Sequence, residues 1–392
     1  MAFSGGLDTS YCAIYLAREM NLEVHAALAD TGGFSKDELA TIEKRAKALG
    51  VASYVALDVT REYYDTAIKY MVFGNVLKNG TYPISVSSER IAQATAVAEY
   101  AKKINADFQC HGSTGAGNDQ VRFDMVFNII APEIGIIALI REKRLSREEE
   151  IDYLRKNGVD FDFKKAEYSI NQGIWGTSVG GKETLTSDKT LPEEAYPSQM
   201  KETKPRKVTL TFEKGEFVGL DGKKYKNRIE AIQALQAVAA PYAIGRDMHV
   251  GDTIIGIKGR VGFEAAAPMI IIKSHHMLEK HTLTKWQLFW KDQISAFYGN
   301  HLHEGQYYDP VMRDFEAMLE SSQRTVSGDV FVELHPYRFV VIGIESRHDL
   351  MSSKFGAYGE TMSDWTSDDV KGFGKIFGNQ NKIYYKVNGD EK

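Results

Sequence analysis

At 392 residues the chain exceeds the roughly 250–300 residues at which a single core stops growing, so at least two domains are expected, with room for a third. Its 48 basic and 53 acidic side chains leave a formal net charge of −5 with no block of like charge, which argues against a nucleic-acid partner and for small charged metabolites. Cys12 and Cys110 alone make neither a disulfide framework nor a Cys-x-x-Cys pair, and no stretch reads as a transmembrane span or a leader, so a cytoplasmic protein with no membrane partner is expected.

Met1-Ala2-Phe3 lead into Ser4-Gly5-Gly6-Leu7-Asp8-Thr9-Ser10. Adjacent glycines between hydroxyl side chains let a tight turn aim several backbone N–H groups at one anion, and a helix predicted over Thr9 to Asn21 would face that anion with its positive end. The run reads as a phosphate loop, yet it lacks the Lys of G-x-x-x-x-G-K-[ST]. Asp8 stands in that neighbourhood instead, a carboxylate suited to a divalent metal lying between it and the phosphates. Because such loops normally leave a strand of about 5–6 residues, the leading strand is expected to lack its first residues.

As far as about residue 165, short apolar runs alternate with amphipathic ones, the pattern of a parallel sheet with crossover helices. Strands are predicted at Val24 to Ala29, Tyr54 to Asp58, Ala106 to Cys110 and Gly135 to Ile140. Ser35 and Glu38 form a capping box for a helix with Leu39, Ile42, Ala46 and Leu49 on one face. An Ala-rich helix runs from Ser87 or Ser88 to Asn105, and another starts at Ser146, with Glu149 as box partner and Gly158 to end it. From about Pro205 the grammar is that of hairpins: Val208, Leu210 and Phe212, a turn at Lys214-Gly215, then Phe217-Val218, and later Val330 to Leu334 with Arg338 to Ile344. Helices are predicted at Asn227 to Ala240, Leu283 to Tyr298 and Pro310 to Gln323, and Trp286, Trp290, Ile294 and Phe297 read as a stripe buried in a core or a subunit interface. One short helix and a polar tail are expected after about Asp364. The fold class is thus α/β: a parallel-sheet nucleotide-binding domain over 1–165, an α+β domain with antiparallel strands over 166–363, and a C-terminal helix and tail over 364–392.

The strand ending at Cys110 is followed by His111-Gly112-Ser113-Thr114-Gly115-Ala116-Gly117-Asn118-Asp119-Gln120-Val121-Arg122-Phe123. Glycines permit close backbone approach to a ligand, and Thr114, Asn118, Asp119 and Arg122 crowd polar groups beside them, although spacing alone leaves a solvated loop as the alternative. His111, next to an apolar strand, reads as a structural hydrogen-bonder. Further strings are Gly80-Thr81-Tyr82-Pro83-Ile84-Ser85-Val86-Ser87-Ser88-Glu89-Arg90, Tyr168-Ser169-Ile170-Asn171, Trp175-Gly176-Thr177-Ser178 and Gly256-Ile257-Lys258-Gly259-Arg260. Together with the Ser4–Ser10 run they resemble the argininosuccinate synthase family of the ATP pyrophosphatase superfamily, whose nucleotide domain is adenine nucleotide alpha hydrolase-like. The resemblance covers nearly the whole chain and loosens beyond about Tyr168.

That resemblance implies an ATP- and Mg²⁺-dependent ligase of arginine biosynthesis, which adenylates citrulline and then joins it to aspartate, and it suggests a homotetramer with a synthetase and multimerisation domain over 166–363. Ala2, Phe3, Ser4, Gly5, Gly6, Leu7, Asp8, Thr9 and Ser10 would wrap the phosphates, with Asp8 on the metal, while Ala29 and Gly112 would lie against the nucleotide. Tyr82, Ser87, Asn118, Arg122, Ser169 and Ser178 would surround citrulline, and Thr114, Asn118 and Asp119 the aspartate. Asp8, Asp119 and Arg122 are the catalytic candidates; no dedicated general base stands out, and Asp119 is open to proton transfer or to binding. Two positions depart from the family pattern: Gly251 and Phe263 fall where a Glu and a Tyr commonly help hold citrulline. Asp252 is the adjacent substitute for the Glu, and an N-acylcitrulline, lacking the α-ammonium charge, is the alternative substrate.

Overall fold

Short parallel strands build the first sheet. β1 (His25–Asp30) pairs with β2 (Ser53–Asp58), and β3 (Phe108–Cys110) pairs with β4 (Gly135–Ile137), all parallel. Residues 1–3 join the two pairs: the Ala2 N–H donates to Cys110 O at 2.8 Å, the Phe3 N–H to Ala27 O at 2.9 Å and the Ala27 N–H to Met1 O at 2.9 Å. The glycine loop therefore leaves the middle of the sheet, the place where open α/β sheets form their ligand crevice. This computed structural model describes residues 1–159, 168–351, 356, 358–360 and 364–389. They form two units, Met1–Arg347 and His348–Lys392. The expected boundaries at 165/166 and 363/364 both touch residues outside the described ones.

Local chemistry places the helices around this sheet. Both capping boxes form, Ser35 with Glu38 on the helix Lys36–Ala48 and Ser146 with Glu149 on Arg147–Lys156, and Gly158 closes the latter with φ 78°. The first helix, Leu7–Arg18, starts earlier than predicted and stops before Asn21, whose φ of 52° is incompatible with continuing it. Extended structure ends at Ile137, and Leu139–Lys143 is helical where a longer strand is predicted.

The remaining strands are β5 (Ser169–Gly173), β6 (Gly176–Gly180), β7 (Arg206–Glu213), β8 (Glu216–Leu220), β9 (Lys223–Lys224), β10 (Arg246–Asp252), β11 (Lys258–Glu264), β12 (Gly328–His335) and β13 (Arg338–Glu345). Both predicted hairpins lie in one antiparallel sheet of order β13-β12-β7-β8-β9. A second antiparallel sheet, β10-β11-β6-β5, is not signalled by the sequence, because Ser169–Gly180 is rich in glycine and polar residues and lacks alternating apolar positions. The helix Ala266–Thr282 is equally unsignalled. Its Ile270-Ile271-Ile272 run is buried together with Ala266, Ala267, His275 and Leu278, so only a narrow polar stripe, Lys273, His276 and Lys280, is left to mark the helix in sequence.

One alternative is corrected. Trp286, Trp290 and Phe297, on the helix Lys285–His303, do not lie in this chain's core: they are 62%, 57% and 48% exposed, which leaves the subunit interface of the two expected placements. The opposite face of that helix carries Lys291, wholly buried, with its Nζ 2.9 Å from the Glu279 carboxylate and 3.1 Å from the Phe73 carbonyl that accepts from it. In the C-terminal unit the described residues hold two helices, Ser367–Phe377 and Asn379–Val387, rather than one. Among the described residues no helix is long and apolar enough to cross a membrane.

Candidate active site

A cavity of about 930 Å³ opens above the sheet where the glycine loop leaves it. Of the predicted site residues, Ala2 through Thr9, Ala29, Tyr82, Ser87, Gly112, Thr114, Asn118, Asp119, Arg122, Ser169 and Ser178 all line it. Ser10 does not. It is fully buried in the first helix, and its Oγ finds no partner.

The loop holds its shape through its own atoms. Gly5 takes φ 73°, and a Cβ there would lie 3.2 Å from the Ile42 side chain, so both conformation and space call for glycine. Ser4 Oγ accepts from the Gly6 N–H at 3.3 Å and meets Thr9 Oγ1 at 3.2 Å, while the Arg45 guanidinium donates to the Gly5 carbonyl. No side chain caps the N-terminus of Leu7–Arg18, which leaves first-turn N–H groups for an anion. Gly112 presses on this turn, with a Cβ there only 3.2 Å from Thr9 Cγ2.

Asp8 has a companion that sequence reasoning missed. Glu150, buried on the helix Arg147–Lys156, donates a proton to the Asp8 carboxylate; burial and the Asp8 charge both push Glu150 well above the ordinary carboxyl range. Its other oxygen, Oε2, has no partner. In the sequence Glu150 is hidden within an acidic first turn that the capping box already explains.

The polar floor of the cavity is an ion-paired row. Asp119 Oδ1 accepts from Arg122 Nη1 at 2.7 Å and Oδ2 from Arg90 Nε at 2.9 Å. Burial opposes its charge, yet Arg90 and Arg122 together hold Asp119 down to about 2. A carboxylate so held, with both oxygens engaged by Arg90 and Arg122, is poorly suited to taking a proton near neutral pH. Arg122, itself buried, also donates from Nε to the His303 carbonyl at 2.8 Å. Arg90 continues to Asn171 Oδ1 at 2.9 Å, Gln93 Oε1 at 2.8 Å and Glu89 Oε1 at 3.0 Å, and the sequence strings give no sign of this fan. Asn118 commits its Oδ1 to the Ile254 N–H at 2.8 Å, and Gln120 fastens the glycine turn through Gly115 O and Gly117 O at 2.6 and 3.2 Å.

The wall above this floor is aromatic. The Tyr82 hydroxyl accepts from the Val86 N–H at 3.2 Å and from Ser85 Oγ at 3.3 Å, and its ring lies 5.2 Å from His249 and 5.3 Å from Phe263. Between Tyr82 and Ser87, Ile84 sits at φ 45°, a left-handed conformation that is strained for a β-branched residue. Ser87 Oγ meets His303 Nδ1 at 3.0 Å, and burial, with Arg122 close by, keeps that imidazole neutral, its pKa pulled down to about 2. Phe263 is completely buried, and a Cβ on Gly251 would lie 2.5 Å from His249 Nε2, so the imidazole fills space a side chain there would need. Asp252, whose side chain is 72% exposed, is bound to Lys258 at 2.5 Å. His111 also lines the cavity, with both ring nitrogens engaged: Nε2 pairs with Asp124 at 2.9 Å and Nδ1 accepts from the Ser113 N–H at 3.2 Å.

With this geometry in place, the comparisons with known proteins are direct. Residues 1–160 match the Arginosuccinate synthase N-terminal HUP domain, and residues 168–384 the Arginosuccinate synthase C-terminal domain. A protein named Argininosuccinate synthase from Xylella fastidiosa is 36% identical over 99% of this chain and 97% of its own length. One from Dictyoglomus thermophilum is 33% identical over 100% of this chain and 98% of its own, and one from Methanocaldococcus jannaschii 32% identical over 98% and 97%.

Proposed function

The chain belongs to the argininosuccinate synthase family, and from that premise and the cavity's geometry we propose that it joins citrulline to aspartate at the expense of ATP, releasing AMP and pyrophosphate. The single observation that carries this reading is that a backbone phosphate loop and the Arg90–Asp119–Arg122 row face one cavity. A ureido oxygen is a poor leaving group, so the amine cannot displace it until it is activated. Adenylation does this: the ureido oxygen attacks the α-phosphate, and the loop's N–H groups receive the charge that grows on the departing pyrophosphate. The aspartate amino group then attacks the adenylated carbon and expels AMP.

Positioning is the protein's main contribution. Arg122 offers a carboxylate a fork that hydroxyls cannot, and Tyr82, Ser87, Ser169 and Ser178 suit a neutral ureido amino acid. Thr114, Asn118 and Asp119 are assigned to aspartate, and Ala29 and Gly112 to the nucleotide. Magnesium is assigned to the Asp8 carboxylate and phosphate oxygens; when bound, such an ion supplies positive charge to the leaving group. Residues 1–165 are assigned to nucleotide handling and 166–363 to synthesis and assembly into a cytoplasmic homotetramer. The exposed Trp286, Trp290 and Phe297 support assembly.

Pyrophosphate release measured with each amino acid omitted in turn tests the reading. Release that needs both citrulline and aspartate is expected; no release under any combination would leave only an ATP-binding module, and release that needs neither would mean ATP hydrolysis instead of ligation. A second reading, N-acylcitrulline as the ureido substrate, is favoured by Asp252 turning to Lys258 and by the buried Phe263, which leave the α-nitrogen without a free carboxylate at that end.

A further inference from the structure

Glu89 is the end of the cavity's ion-paired row, and none of the assignments above uses it. It lies near the start of the helix Ser85–Lys103, its side chain only 3% exposed, and it borders the cavity. Oε2 accepts from Thr31 Oγ1 at 2.8 Å and Oε1 from Arg90 Nη1 at 3.0 Å. Space around it is reserved: a Cβ on Gly173 would lie 2.1 Å from Glu89 Oε2. From Glu89 the charges alternate through Arg90, Asp119 and Arg122 to the His303 carbonyl, every link between 2.7 and 3.0 Å.

We propose that Glu89 is a positioning residue of the ligation: as a carboxylate it fixes Arg90, which sets Asp119, which sets Arg122 against the ureido and amino-acid substrates. The inference rests on the function proposed above. Arg90 without its Glu89 partner still has Asp119, Gln93 and Asn171, so loss of the Glu89 charge shifts the guanidinium rather than freeing it.

The row has a pH signature. Burial raises Glu89 to about 7, against the Arg90 charge and the Thr31 hydrogen bond that favour ionisation, with Asp119 adding to the rise. The groups facing it are Arg90 and Gln93 on its own helix, Thr31 after β1, Tyr63 and Tyr82, Asp119, and Asn171 with Gly173 on β5; both tyrosines stay protonated, pushed up by burial. Below about pH 7 Glu89 is therefore neutral, and the row loses its terminal anion.

The test is the pH profile of kcat/KM for citrulline, at saturating ATP and aspartate, in the full-length enzyme. The unmodified protein is expected to show an acid limb near pH 7, falling about tenfold in all to a lower plateau as Glu89 is neutralised. Glu89→Gln, which keeps the shape and, through its one acceptor oxygen, the bond from Arg90 while the bond to Thr31 must reverse its direction, should erase that limb and lower kcat/KM above pH 8 by roughly 10-fold, as expected for one charge-assisted contact, with KM for ATP unchanged. Thr31→Val, which removes only the hydrogen bond to the carboxylate, should move the limb to higher pH, and it decides the matter if Glu89→Gln folds poorly. An acid limb that stays in place in both variants overturns the role of Glu89. A wild-type protein that releases no pyrophosphate with citrulline and aspartate overturns the functional reading instead, so the two failures are distinguishable.

Discussion

Arg122→Lys separates geometry from charge at the centre of the site. The guanidinium makes two contacts at once, 2.7 Å from Nη1 to Asp119 and 2.8 Å from Nε to the His303 carbonyl, and it is 4% exposed. A lysine ammonium is a single point donor on a flexible stem and cannot reproduce a fork that spans both partners while facing a substrate carboxylate. One charge-assisted hydrogen bond in a buried setting contributes roughly 1.5–3 kcal/mol. At about 1.36 kcal/mol per tenfold in rate, kcat/KM for citrulline should fall roughly 10- to 150-fold. Initial rates of pyrophosphate release at saturating ATP, with citrulline varied, measure it, and KM for ATP should stay put because the phosphate loop is untouched. A kcat/KM within about threefold of wild type, or an equal loss of apparent affinity for ATP, would refute the assignment of Arg122 to the ureido substrate.

Asp8→Asn should slow adenylation by at least about 100-fold, in line with loss of a group that stabilises the leaving charge, while the melting temperature changes little, because an amide still accepts the Glu150 proton; undiminished activity would end the metal role. Thr114→Val should keep citrulline-dependent exchange of labelled pyrophosphate into ATP but lose argininosuccinate formation, and loss of exchange as well would move Thr114 to the citrulline or nucleotide site. Asp252→Asn should leave KM for citrulline nearly unchanged, because that carboxylate is exposed and already bound to Lys258. In a mixture of citrulline and N-acylcitrulline resolved by mass, exclusive consumption of free citrulline would eliminate the acylated substrate.

The legible parts of the fold were those in which a short segment carries its own instruction. A capping box needs only Ser35 and Glu38, or Ser146 and Glu149, and both formed where predicted. The hairpins around Lys214-Gly215 and between Leu334 and Arg338 are likewise local, set by alternation and a turn. The helix Ala266–Thr282 and the β10-β11-β6-β5 sheet were illegible for the opposite reason. The helix is buried over most of its surface, and β5 and β6 are glycine-rich strands kept extended by pairing with each other and, for β6, with β11 rather than by propensity.

The candidate site divides along the same line, and the division bears on its chemistry. The glycine loop was readable because its shape is local: Gly5 turns at φ 73° and the helix starts at Leu7 with no side-chain cap, so backbone N–H groups gather within one turn. Glu89, Arg90, Glu150 and His249 were not, since each matters only through a residue far away in the chain: Glu89 through Thr31, Arg90 through Asp119 and Asn171, Glu150 through Asp8, and His249 through Tyr82. Part of the substrate end is therefore built from long-range contacts, and substrate choice can change there without any change in the loop. The Gly251–His249 packing is the concrete case. An imidazole stands where a side chain on residue 251 would need room, and Phe263 closes the wall behind Tyr82. On the function proposed, a chain that kept the glycine loop but altered these positions should still adenylate a ureido oxygen, and a change in the α-nitrogen it accepts is the outcome expected of substitutions at this other end of the cavity.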